Sequence, residues 1–230
     1  MQIAGLQKLT LLDFPGRIAC TVFLPGCNLR CPFCHNASLA LPQKDASPGI
    51  TVDELLVFLQ KRRGRLQGVC ITGGEPTLHP ELPELLRQIH LLGYEVKLDT
   101  NGTNPEVLRA ILAEGLADYV AMDIKNSPAR YAETCGGVDV LDRVQQSAAL
   151  VLEGSVDYEF RTTLAHPLHR LEDMAAIGQW LQGARRYFLQ QFVDSGDLIG
   201  SGLTALDADE METMRQAVLP YIKETTLRGL

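Results

Sequence analysis

Three of the chain's six cysteines stand within eight residues, in the run Pro25-Gly26-Cys27-Asn28-Leu29-Arg30-Cys31-Pro32-Phe33-Cys34-His35-Asn36. Thiolates are soft ligands for iron and zinc. Three of them this close in sequence can wrap one [4Fe–4S] cube from a single loop, and a fourth cysteine normally completes such a cluster. Cys20 and Cys70 fall in predicted strands and Cys135 lies far downstream. These three are expected to be small apolar fillers or free thiols. One iron would then stay open to an outside ligand. Zinc held by Cys27, Cys31, Cys34 and His35 is the metal alternative. Against it, His35 directly follows Cys34, which makes tetrahedral geometry awkward, and no paired knuckle follows. Three unconnected buried thiols are the plainest alternative.

Further polar residues collect at the ends of predicted strands. Thr72-Gly73-Gly74-Glu75-Pro76 has a double glycine, which lets backbone groups approach a ligand closely but also suits an ordinary turn. Leu98-Asp99-Thr100-Asn101-Gly102 and Met122-Asp123-Ile124-Lys125 place charges at strand C-termini. Two carboxylates beside an anionic ligand need a cation between them. Asp123 and Lys125 also fit an exposed loop pair. Arg161, in Glu159-Phe160-Arg161-Thr162-Thr163, is unusual in an alternating strand unless one face meets a polar cavity. Its fork suits carboxylate or ribose oxygens, with a structural salt bridge as the alternative. Gln190 and Gln191 interrupt the last apolar run, and Phe33 sits between two cysteines, where it could anchor the loop. His79, His90, His166 and His169 follow no pattern that assigns them a role.

The elements that must position these residues are legible as apolar periodicity. Strands are predicted at 19–24, 68–72, 95–99, 119–124, 158–163 and 186–192. Helices are predicted at 51–63, 81–92, 106–114, 140–153, 171–181 and 208–221, the first opened by the capping-box sequence Thr51-Val52-Asp53-Glu54. Six strand–helix units in succession imply a parallel sheet with right-handed crossovers. A closed eight-unit barrel typically needs ~250 residues, so 230 residues suggest an incomplete (β/α)6 barrel open on one side, with a doubly wound sheet as the rival. One domain is expected over 1–230, with a lead-in at 1–18, a cluster-binding loop at 25–48 and a C-terminal helix and tail at 208–230. Long loops of this kind are usually functional.

The net charge of −7 gives no bulk electrostatic reason to expect nucleic acid as a partner. The first residues lack a charged segment followed by a long apolar run, and no apolar stretch reaches the ~18 residues of a membrane span. Clustered cysteines without an export signal predict a metal site in a reducing cytoplasm.

With its C-x3-C-x2-C spacing, GGEP-type strand end, D-T-N-G and D-x-K motifs, the chain resembles the radical S-adenosylmethionine (SAM) superfamily. Within it, it is most similar to glycyl-radical-enzyme activating proteins, in particular activators of anaerobic ribonucleoside-triphosphate reductase. The resemblance implies a [4Fe–4S] cluster on Cys27, Cys31 and Cys34, with SAM chelating the open iron. Reductive cleavage of SAM would give a 5′-deoxyadenosyl radical. The resemblance further implies SAM contacts from Phe33, Gly73, Gly74, Glu75, Lys125, Arg161 and Gln190, and a monovalent cation held by Asp99, Thr100 and Asp123. The partner implied is a glycyl radical enzyme, and the electron donor flavodoxin or ferredoxin. Leu11-Leu12-Asp13-Phe14-Pro15-Gly16-Arg17 resembles the D-G-P-G-x-R lead-in of these activators, with Phe14 in place of the first glycine and Arg17 directly after Gly16. The ending Leu227-Arg228-Gly229 resembles the reductase activators. The alternatives are an activator of another glycyl radical enzyme such as pyruvate formate-lyase, a small-molecule enzyme like 7-carboxy-7-deazaguanine synthase, and a zinc- or cluster-binding regulatory protein.

Overall fold

A computed structural model of the chain describes residues 1–41 and 49–230. The end of the expected cluster loop, residues 42–48, lies outside the described residues.

The strands are β1 (Gln2–Ile3), β2 (Gly5–Thr10), β3 (Ala19–Leu24), β4 (Ile50–Thr51), β5 (Gly68–Gly73), β6 (Glu95–Thr100), β7 (Tyr119–Asp123), β8 (Asp157–Leu164), β9 (Tyr187–Gln191) and β10 (Thr225–Arg228). The helices are α1 (Ala37–Ala40), α2 (Val52–Arg62), α3 (Leu82–Leu91), α4 (Pro105–Ala113), α5 (Tyr131–Thr134), α6 (Leu141–Glu153), α7 (Leu171–Trp180) and α8 (Ala208–Val218). All six predicted strands are present to within one residue at each end. The capping box forms as expected, with Thr51 and Glu54 bonded reciprocally at the start of α2.

One eight-stranded sheet runs in the order β10-β9-β8-β7-β6-β5-β3-β2. All neighbours are parallel except β2, which pairs antiparallel with β3. The order is linear, so the barrel is partial and open between β2 and β10. Two strands extend the predicted six. β2 is the antiparallel edge, and β10 turns the end of the expected tail into a seventh parallel strand.

Side-chain alternation along the strands separates two chemistries. Val69 and Ile71 on β5, Val96 and Leu98 on β6, Val120 and Met122 on β7, and Phe160 and Leu164 on β8 join the apolar core shared with the helices. The alternate residues face the barrel interior. They include Thr21, Cys70, Asp99, Asp123, Arg161, Thr163 and Gln190, which line one cavity. Deeper along the same faces, Phe14 from the lead-in packs on Ala19, Tyr119 and Ala121 as a small apolar plug.

Candidate active site

The cysteine loop is seated by the double glycine. Gly74 N–H donates to Leu24 O and Glu75 N–H to Gly26 O, both at 2.8 Å. A Cβ on Gly74 would stand 1.9 Å from Gly26 O, and one on Gly73, whose φ is +118°, 2.3 Å from Leu24 O. No side chain fits there, so the glycines let the end of β5 lie directly against the cysteine loop. From the other side the segment 193–204 crosses the same loop. Ala37 N–H donates to Asp197 O at 3.3 Å and Gly200 N–H to Pro32 O at 2.9 Å. Ser38 Oγ donates to Asp197 Oδ2 at 2.7 Å, and Ser195 Oγ to His35 O at 3.1 Å.

Cys27, Cys31 and Cys34 open into one cavity of about 310 Å³ with Phe33, Gly73, Gly74, Asp99, Thr100, Asp123, Lys125, Arg161 and Gln190. That is every expected site residue except Glu75. Charges alternate across its wall. Arg161 bonds Asp123 Oδ1 through Nε at 2.9 Å and Asp99 Oδ2 through a terminal nitrogen at 3.1 Å. Lys125 Nζ bonds Asp123 Oδ2 at 3.0 Å, and Lys97 pairs with Asp99 Oδ1. Burial opposes ionisation of Asp99, but Arg161 and Lys97 outweigh it and hold the carboxyl below the usual range. At Asp123 burial is likewise outweighed, here by Arg161 and Lys125. In this structure the positive charge between the two carboxylates is the guanidinium of Arg161.

Glu75 departs from its expected place. Its carboxylate is fully buried and accepts Thr77 N–H at 3.0 Å, Thr77 Oγ1–H at 2.5 Å, Thr100 Oγ1–H at 2.7 Å and Asn101 N–H at 2.6 Å. It ties the end of β5 to the end of β6, and its side chain does not line the cavity. Burial raises its pKa, and these bonds offset only part of that effect.

Two residues escaped the sequence reading. Asn101 points its amide at Cys27 Sγ, 3.8 Å away. Cys135 is buried against the cysteine loop, its carbonyl accepting Arg30 N–H at 3.2 Å. Hydrogen bonding from the Cys135 thiol, working against burial, lowers the pKa of the Cys31 thiol. Burial alone accounts for Cys20, which is pushed up to about 12 in the helix-facing core.

The sequence profile of the Radical SAM superfamily matches residues 21–181. The chain belongs to the radical SAM superfamily. A Methanocaldococcus jannaschii protein named as a glycyl-radical enzyme activating enzyme is 30% identical over 99% of this chain and 96% of its own length. The 7-carboxy-7-deazaguanine synthase of Aquifex aeolicus is 38% identical, but over 35% of this chain and 34% of its own length. Among solved structures, Streptococcus suis SuiB bound to its precursor peptide SuiA superimposes with a TM-score of 0.71 at 18% identity. That match covers 95% of this chain and 50% of SuiB.

A radical SAM enzyme uses a [4Fe–4S] cluster and SAM, which together supply one-electron reductive cleavage of a carbon–sulfur bond. The donor set here fits them. Three thiols share one cavity wall, and the backbone-only edge at Gly73–Gly74 adjoins them. No helix among the described residues is long and apolar enough to cross a membrane.

Proposed function

We propose that this chain activates a glycyl radical enzyme, removing a hydrogen atom from a backbone glycine of its partner. One observation carries this reading: the similarity to the Methanocaldococcus jannaschii activating enzyme spans both chains almost end to end. In the proposed site Cys27, Cys31 and Cys34 hold the cluster. Phe33, Gly73, Gly74, Asp99, Thr100, Asp123, Lys125, Arg161 and Gln190 surround SAM, with Glu75 bracing the wall behind them.

The rest of the cavity supports a polypeptide substrate. Away from the cysteine loop it is lined in part by Gln7, Asp13, Thr21, Phe23, Cys70 and Thr72. These six offer an amide, hydroxyls and a carboxylate to a neutral peptide backbone, and none of them is basic. The basic Arg161 and Lys125 belong to the proposed SAM half of the cavity, where they pair with Asp99 and Asp123. A small anionic substrate, as a deazaguanine-type reaction would use, meets no cationic side chain among these six. The barrel opening between β2 and β10 gives a protein loop a route in. The partner favoured is anaerobic ribonucleoside-triphosphate reductase, on the Leu11–Arg17 lead-in and the Leu227-Arg228-Gly229 ending. Flavodoxin or ferredoxin would deliver the electron in a reducing cytoplasm.

The test is anaerobic mixing of the iron-loaded chain with SAM, reductant and the reductase, followed by electron paramagnetic resonance. A glycyl doublet with stoichiometric 5′-deoxyadenosine is expected. SAM cleavage without a doublet on the reductase, but with one on pyruvate formate-lyase, moves the assignment to the other activator class. Cleavage with neither rejects the glycyl-radical reading.

A further inference from the structure

Asn101 stands at the tip of β6 and is 5% exposed. Its backbone N–H is fixed by Glu75 Oε2 at 2.6 Å. One end of its side-chain amide accepts Thr103 N–H at 2.9 Å and Thr103 Oγ1–H at 2.7 Å. A backbone N–H only donates, so the atom facing it must be the carbonyl oxygen. That settles the direction of the amide. The NH2 end faces Asn28 Oδ1 at 3.1 Å and Cys27 Sγ at 3.8 Å. Asn28 Nδ2 closes the ring by donating to Thr103 Oγ1 at 2.9 Å. Leu29 N–H adds a second donor to Cys27 Sγ at 3.4 Å. Cys27 is therefore approached by one donor from its own loop and one from a different strand end. Only the second can be removed by substitution.

N–H donors aimed at a ligand sulfur stabilise the cluster more when it carries the extra electron, because the sulfur is then more negative. Hydrogen bonding to the sulfurs is one of the levers that set such potentials, and outer partners of metal ligands tune the metal as well as orient the ligand. We propose that Asn101 is a positioning residue that raises the reduction potential of the cluster through its amide bond to Cys27. The Glu75 and Thr103 bonds hold that amide in place, so the tuning group is preorganised.

The experiment is a redox titration of the iron-loaded chain, followed by electron paramagnetic resonance of the reduced cluster, with iron counted in each sample. Asn101→Ala removes the donor. Asn101→Asp keeps the shape and the acceptor for Thr103 but presents oxygen to Cys27. Both should retain wild-type iron and titrate at a more negative potential. The expected change is about tenfold in the one-electron equilibrium, about 59 mV. Thr103→Val, which frees the amide to turn, should shift the potential the same way by less. Wild-type potentials in both Asn101 variants, or a positive shift, would overturn the proposal. So would iron loss in all three variants, which would make Asn101 a brace of the loop.

Discussion

Two carboxylate systems stand at the ends of neighbouring strands, and they are compensated in opposite ways. Asp99 and Asp123 face the cavity and are met by the full charges of Arg161, Lys97 and Lys125. Glu75 is turned into the wall and meets only neutral hydroxyl and amide donors. A charge met by long basic side chains can be re-partnered when an anionic ligand arrives. A charge met by backbone and threonine donors cannot, because its partners are part of the fold. The first arrangement suits a binding surface and the second a brace.

The sharpest way to break this contrast is Arg161→Ala. It leaves two half-buried carboxylates with one lysine each, Lys97 at Asp99 and Lys125 at Asp123, and removing one partner of a fully buried pair typically costs about 3–5 kcal/mol. We expect a smaller loss than that in urea unfolding of the cluster-free chain. The loaded chain should bind SAM at least tenfold more weakly with its iron intact. Unchanged SAM affinity would reduce Arg161 to a structural pair. Glu75→Gln comes next. It puts an NH2 group against donors, and an unsatisfied buried group costs about 1–3 kcal/mol. Stability should fall with little direct change in SAM affinity. A large affinity loss at full stability would return Glu75 to the ligand.

A smaller effect lies in pH. The folded-state pKa values of Asp99 and Asp123 are depressed, so their contribution is full above the unfolded value near 3.9 and is lost as pH falls through the folded values. Urea midpoints of the wild-type chain should hold from neutrality to about pH 5 and then decline, and Arg161→Ala should flatten that acid limb. An unchanged limb in the variant would show that the acid sensitivity lies elsewhere. The smallest effect is expected at the exposed pair Arg17–Glu95, 2.8 Å apart with both side chains well exposed. Arg17→Ala should leave the urea midpoint unmoved, since such pairs are screened by water and salt.

Much of this was legible in the sequence. The parallel strands announce themselves as apolar runs, and the cysteine, glycine and charge motifs stand at their ends. The failures are physical. β2 and β10 are edge strands whose residues are largely exposed or half-buried, so no apolar run marks them. Glu75 sits in a cavity-type motif, but the direction of its side chain depends on Thr77, Thr100 and Asn101 converging on it, which spacing does not encode. Cys135 was discounted for its distance along the chain, and only the packing of the segment after β7 brings it to Cys31. Asn101 lay inside a recognised motif. Its task comes from Thr103 turning the amide around.

The segment that crosses the cysteine loop is made late. Ser38 and Asp197 are 159 positions apart. At ordinary translation rates that separation is on the order of ten seconds. For that interval a ribosome carries all three thiols without the segment that will fasten their loop. A chain cut just before Asp194 would keep every cysteine and lose the bonds that fasten residues 35–38.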